Sequence, residues 1–149
     1  IALYPPHQIH EPETNEVRIL HIPYSPRKET EGALHRAMDF LRISSHLQYK
    51  LRILSPSELP TRELLKEALG ECDLFIEEPL GVSYGPLAVY AMAQGKTVLC
   101  SNAQAGWDKW PALKLCPALH TDTDNLYDRL TSIAKEPKCL RDLGSRSRQ

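Results

Sequence analysis

Gly95-Lys96-Thr97 has the residue types that close a phosphate-gripping loop, in which backbone N–H groups wrap an anion and a lysine meets its charge. Such a loop needs a glycine five residues before the Gly-Lys pair, and position 90 is Tyr. It must also follow a strand and open a helix, whose free N–H groups complete the anion site. Here the order is reversed. GPLAVYAMAQ, Gly85 to Gln94, is rich in helix formers, and TVLC, Thr97 to Cys100, is a short apolar run with a β-branched start. Gly95 is therefore expected as the left-handed residue that ends a helix before a strand. The anion-facing end falls instead on Ser83-Tyr84-Gly85-Pro86, where small residues lead into a proline suited to a first helical turn.

Two further groups have charge in useful places. Arg27 and Lys28 follow the first apolar run, where an anion would sit, although Glu29 and Glu31 allow them to be a balanced, solvated turn. Ser83 and Gly85 precede a helix whose free N–H groups and dipole attract phosphate, or simply start it. Glu77 and Glu78 end a strand-like run and are either acceptors for a base or sugar, or exposed strand-end charges. Tyr90 lies one turn further into the helix, on its sheet-facing or its site-facing side. Trp107 and Trp110, around Asp-Lys, read as packing for a long loop rather than a stacking platform. Cys72, Cys100, Cys116 and Cys139 form no C-x-x-C pair and are expected as reduced thiols. The six histidines form no H-E-x-x-H, so no metal and no cofactor is expected.

The elements that must position these residues alternate. VRILHI (Val17 to Ile22), YKLRIL (Tyr49 to Leu54), DLFIEE (Asp73 to Glu78, with Leu74 to Glu77 as its strand) and TVLC read as strands, and Ala118 to His120 as a short fifth. Between them lie a helix with Thr30 as N-cap and one apolar face (Ala33, Leu34, Ala37, Met38, Phe40, Leu41), a helix capped by Gly70, and the Gly85 to Gln94 helix. Leu126, Leu130 and Ile133 share one face of a later helix, and a last one follows Pro137. Strands separated by helices imply parallel β-α-β units, hence a doubly wound α/β sheet that binds ligands beyond the carboxyl ends of its strands. Residues 1–16, proline-punctuated and polar, read as an extended lead-in, and 17–149 as one domain.

The chain has 149 residues, 42% of them apolar and 25% charged, enough for one domain's core. A net charge of −1 gives no general pull towards nucleic acid or an anionic membrane. No stretch reaches the ~18 apolar residues of a spanning helix, and no secretory signal is visible, so the expectation is a cytoplasmic protein. Ile at position 1 suggests an excised or processed piece of something longer.

The order of motifs resembles the C-terminal, donor-binding domain of a GT-B glycosyltransferase of the retaining group 1 family. YPPHQIHEP resembles its interdomain linker, VRILHIPYSPRKETEGALHRAMDFL its first strand, basic loop and helix, and DLFIEEPLGVSYGPLAVYAMAQGKTVLC its central motif. The Leu143-Gly144 tail resembles its closing helices. The resemblance implies a Rossmann-like half of a larger transferase. Arg27, Lys28, Ser83, Tyr84 and Gly85 would hold the diphosphate of a nucleoside-diphosphate sugar, with Glu77 and Glu78 near the base or donor sugar. An N-terminal acceptor domain of the same chain would be its partner, and the domain alone would be inactive. Tyr90 stands where the family has a ribose-binding glutamate, and a phenol cannot take two hydroxyls as a carboxylate does. A degenerate, non-catalytic donor domain is the alternative. A nucleoside deoxyribosyltransferase is a third, because that group also pairs a strand ending in acids with a similar helix motif.

Overall fold

The computed structural model describes residues 16–23, 28–44, 47–78, 85–101, 108, 118–122, 124–135 and 137–147. Expectations for Arg27, Ser83, Tyr84, the two tryptophans and residues 1–15 of the lead-in lie outside these residues. Five strands, β1 (Glu16–His21), β2 (Gln48–Ile53), β3 (Leu74–Ile76), β4 (Thr97–Ser101) and β5 (Leu119–Thr121), form one sheet in the order β2-β1-β3-β4-β5. Every neighbouring pair is parallel. The helices are α1 (Lys28–Ser44), α2 (Arg62–Gly70), α3 (Pro86–Ala93), α4 (Leu126–Lys135) and α5 (Pro137–Ser147). The chain is thus an α/β protein with a doubly wound parallel sheet.

The two faces follow from the alternation of side chains along each strand. Ile19, Leu74, Ile76 and Leu99 meet Leu34, Met38 and Leu41 of α1 and Leu126 and Leu130 of α4. Leu20, Phe75, Val98 and Cys100 point the other way, onto Ala68 and Leu69 of α2 and Ala88, Ala91 and Met92 of α3. Residues of β3 and β4 are buried throughout, as expected of strands covered on both sides. Among the described residues no helix is long and apolar enough to cross a membrane.

The Gly95-Lys96-Thr97 triplet is used three times over, each time for packing. Gly95 has φ 74° and is the only described residue with positive φ. Its N–H donates to the Met92 carbonyl at 2.8 Å, and the Lys96 N–H to the Ala91 carbonyl at 3.1 Å, so α3 ends in a paired left-handed cap. The Lys96 Nζ then donates to the carbonyls of Gly70 (3.0 Å) and Cys72 (2.9 Å), capping the end of α2. Thr97 donates its hydroxyl to the Leu140 carbonyl, which ties β4 to α5. A phosphate-binding lysine would face the opposite end of the sheet.

Several local expectations need correcting. Thr30 is not an N-cap. Helix α1 begins at Lys28, and Thr30 is buried in its first turn, donating to Glu78. Gly70 does not cap α2 in a left-handed conformation. It is the last helical residue, followed by Glu71 with right-handed angles, because Lys96 already satisfies the local carbonyls. Glu16 belongs to β1 rather than to the lead-in, paired with Gln48. Phe40, expected on the apolar face of α1, is 60% exposed, because it lies off the core-facing stripe, and its ring meets Tyr127 of α4 instead.

Gly144 shows why the last helix carries a glycine. A Cβ there would stand 2.1 Å from the Gly95 carbonyl oxygen, a backbone atom that cannot step aside. Helix propensity alone favours Gly144→Ala by about 1 kcal/mol. Overpacking costs about 1–3 kcal/mol and requires α5 to move, so it should win. We expect Gly144→Ala to lower stability by up to about 2 kcal/mol in urea unfolding, with the transition slope unchanged. Lys96→Ala, which strips the Gly70 and Cys72 carbonyls of their donor, should also lower stability in the same urea unfolding.

Candidate active site at the β1–β3 switch point

From β1 the chain runs outward to β2 and then crosses back to β3, so the sense of winding reverses between β1 and β3. In open parallel sheets the crevice at the carboxyl ends of two such strands is where ligands bind. At the carboxyl ends of β1 and β3 and the starts of α1 and α3 stand His21, Lys28, Thr30, Glu77, Glu78 and Gly85. Lys28, the first residue of α1, is exposed there. Of the residues expected to bind ligand, Lys28, Glu77, Glu78 and Gly85 therefore share one end of the sheet. Arg27, Ser83 and Tyr84 lie outside the described residues.

Three hydrogen bonds lace this end together. The His21 Nδ1 lies 2.8 Å from the Ile76 carbonyl oxygen. A carbonyl only accepts, so Nδ1 carries the hydrogen, and Nε2 is left buried with no partner among the described residues. The Thr30 hydroxyl donates to Glu78, linking the start of α1 to the end of β3. The Gly85 N–H donates to the Glu77 Oε2 at 2.7 Å, linking the end of β3 to the start of α3.

This last contact decides how the N-terminus of α3 is used. Gly85 is the N-cap and offers no side chain, and Pro86 at the next position has no N–H. Glu77 supplies the missing cap from the preceding strand, taking the Gly85 N–H and favoured also by that of Ala88. Its residue is only 8% exposed. Burial, the largest influence, pushes the Glu77 carboxyl above its ordinary value. The two amides pull it down, and the neighbouring Glu78 charge pushes it up again. Gly85 is needed for this fit, since a Cβ there would lie 2.8 Å from the Glu77 Oε1.

Tyr90 stands apart from these groups. Its ring packs against the second core cluster, and the Arg62 guanidinium sits 5.7 Å from its centroid. The side chain thus faces α2, on the sheet side of the helix, rather than the crevice mouth.

Ser101, at the end of β4, is buried with its Oγ unpaired among the described residues. Like His21 it was not singled out from sequence. The available signal was strand parity: His21 shares its face with Val17 and Ile19, and Ser101 with Leu99, so both point inward. Elsewhere, a groove of about 730 Å³ along β2 has a basic lining that is already paired. Arg18 meets Asp73, Arg52 meets Glu71, and Lys50 meets Glu16. Among the described residues no group of three or more His, Cys, Asp or Glu is placed to hold a metal. Cys72, whose thiol burial pushes up to about 12, has no nucleophilic character at neutral pH.

No protein-family model matches the chain, and no curated protein matches it significantly in sequence.

The raised Glu77 value sets a pH dependence. Between the unfolded value and the higher folded one, the folded chain holds more protons than the unfolded chain, so stability falls as pH rises through that window. Acidifying from neutral through it should therefore strengthen the wild type relative to Glu77→Gln. Urea unfolding of both proteins across about pH 4–7 checks this, the window lying above about 4.3. A wild-type advantage that shrinks towards acid would mean that the charged carboxylate is the favoured form.

Proposed function

We propose that this chain is the donor-binding domain of a glycosyltransferase, which holds a nucleoside-diphosphate sugar while an N-terminal domain of the same protein presents the acceptor. The observation that carries the reading is the strand order. It sets the carboxyl ends of β1 and β3, the strands that open the two stretches on which the motif resemblance rests, side by side at the switch point. Within that reading Lys28, with Arg27, meets the diphosphate, and Glu78, held by Thr30, lies by the base or sugar. The chemistry is electrostatic: cations and oriented N–H groups stabilise charge on the departing diphosphate. The cytoplasm, where nucleotide sugars are made, is the compartment that suits it.

A second reading, a donor domain that has lost catalysis and serves as an interaction module, is favoured by two observations. Glu77 already occupies the amides of α3, and Tyr90 is committed to packing.

Titration calorimetry with uridine, guanosine and adenosine diphosphates discriminates the two. The donor reading expects binding on the order of 0.1–1 mM, about 4–5.5 kcal/mol, with preference for one base. Lys28→Ala should weaken it several-fold and flatten its salt dependence, because one cation fewer meets the diphosphate. No binding in low salt, or binding indifferent to the base, favours the non-catalytic module.

A further inference from the structure

We propose that the α1 side of the crevice recognises sugar hydroxyl groups, through the Nε2 of His21 and the Oγ of Ser101. The inference rests on the donor reading and names the part of the donor that this side takes.

Buried polar residues gather at one end of the sheet. Among the described residues they are His21, Thr30, Glu77, Thr97, Ser101 and Thr121, and all but Thr97 stand at strand carboxyl ends or in the first turn of α1. Strand register sets several of them on one face. His21 is level with Ile76, Ile76 with Leu99, and Ser101 with Thr121. His21 and Ser101 have the parity of Ile19 and Leu99, which pack on the α1 and α4 side. Between their strands runs β3, and Glu78 beyond its end takes the Thr30 hydroxyl on that same side. The carboxyl edge of this face is therefore a polar row laid over an apolar core.

Two atoms of that row have no partner among the described residues. His21 is fully buried and its Nδ1 hydrogen goes to the Ile76 carbonyl, so Nε2 holds a lone pair and no hydrogen. Ser101 is 1% exposed, and its Oγ is likewise unmatched. Folded chains leave few such atoms, because each gives up its hydration without return. Both lie at the end where open parallel sheets bind ligands. That coincidence points to a partner from outside the chain.

The pattern of donors and acceptors says what the partner must be. Nε2 only accepts, as does the ionised Glu78 carboxylate, whereas the Ser101 hydroxyl both donates and accepts. A phosphate group brings acceptors alone and would set lone pair against lone pair at Nε2. A sugar hydroxyl donates and accepts, so it suits Nε2 and Oγ alike. Two strand spacings, about 10 Å, separate β1 from β4, so different hydroxyls serve the two atoms. A nucleotide sugar, with two hydroxylated rings, provides them.

The test reads the imidazole nitrogens of His21 by NMR and compares wild type, Ser101→Ala and His21→Asn by calorimetry. The Asn amide can keep the hydrogen bond to the Ile76 carbonyl while Nε2 is deleted. Pyrophosphate, the uridine, guanosine and adenosine diphosphates, uridine diphosphate glucose and free glucose are the probes. The Nε2 resonance should move upfield, as a lone pair receiving a hydrogen bond does, when a probe with a sugar ring binds, and stay still with pyrophosphate. Ser101→Ala should weaken the best-bound nucleotide about three- to tenfold, the value of one neutral hydrogen bond. The same variant should melt higher than wild type without ligand, because an unmatched buried hydroxyl has gone. If His21→Asn melts too early to use, Ser101→Ala and the wild-type resonance decide. A response to nucleoside diphosphates assigns His21 to the ribose, and one that needs uridine diphosphate glucose or glucose assigns it to the donor sugar. Nucleotide binding that leaves both the Nε2 resonance and the Ser101→Ala affinity unchanged overturns the hydroxyl site and leaves the donor reading standing. An equal shift with pyrophosphate overturns it too. A response to glucose with no nucleoside diphosphate bound keeps the hydroxyl site and removes the donor reading. No binding by any probe removes both.

Discussion

The architecture hangs on β3, a strand of three residues that must hold together two halves of a five-stranded sheet. Leu74, Phe75 and Ile76 are fully buried and pair with β1 on one side and β4 on the other. So short a ladder supplies few hydrogen bonds, and both its ends are pinned by side chains. At the amino end Asp73 takes the backbone N–H of Arg18 at 2.8 Å and its Nε and Nη2 at 3.1 Å, while the Asp73 N–H returns to the Arg18 carbonyl. A two-pronged, partly buried pair of this kind has the geometry that repays desolvation. At the carboxyl end His21 reaches across to the Ile76 carbonyl. Register is thereby fixed at both ends.

A fixed β3 in turn orients the two acids at its carboxyl end. Glu77 and Glu78 emerge side by side with opposite parity, one towards α3 and one towards α1, and each is met by a donor on its own side. Two adjacent carboxylates at one strand end would repel if left together. The fold separates them by using the alternation of the strand itself. The crevice between β1 and β3 is consequently bounded by two acids already engaged, with Lys28 at its rim. That arrangement tempers the attraction of α3 for an anion.

The closing helix has a comparable logic. Helix α5 approaches the turn between α3 and β4 so closely that only a glycine fits at 144, and Thr97 bonds to the Leu140 carbonyl within the same contact. The turn that most resembles a nucleotide-binding signature is therefore a junction where α2, α3, β4 and α5 meet.

Much of this was legible in the chain alone. Strand and helix alternation, the β-branched and apolar runs, Pro86 at a helix start and Gly95 at a helix end depend on neighbours within a few residues, and local sterics decide them. The doubly wound parallel sheet is a consequence of that alternation, because parallel strands need crossover helices and these must cover both faces. Local chemistry could not decide which distant group fills each open hydrogen-bonding position. The Lys96 ammonium could have met a phosphate and instead meets the carbonyls of Gly70 and Cys72. Thr30 has the makings of a cap and instead holds Glu78, 48 residues away. Tyr90 could have faced either side of α3, and only the placement of α2 turned it towards Arg62. Glu77 read as a solvated strand-end charge or as a ligand-binding acid, and became the cap of α3 because the crossover brings that helix back over the end of its own strand. A buried donor or acceptor takes the partner that the packed chain brings within about 3 Å, and that is a property of the tertiary structure.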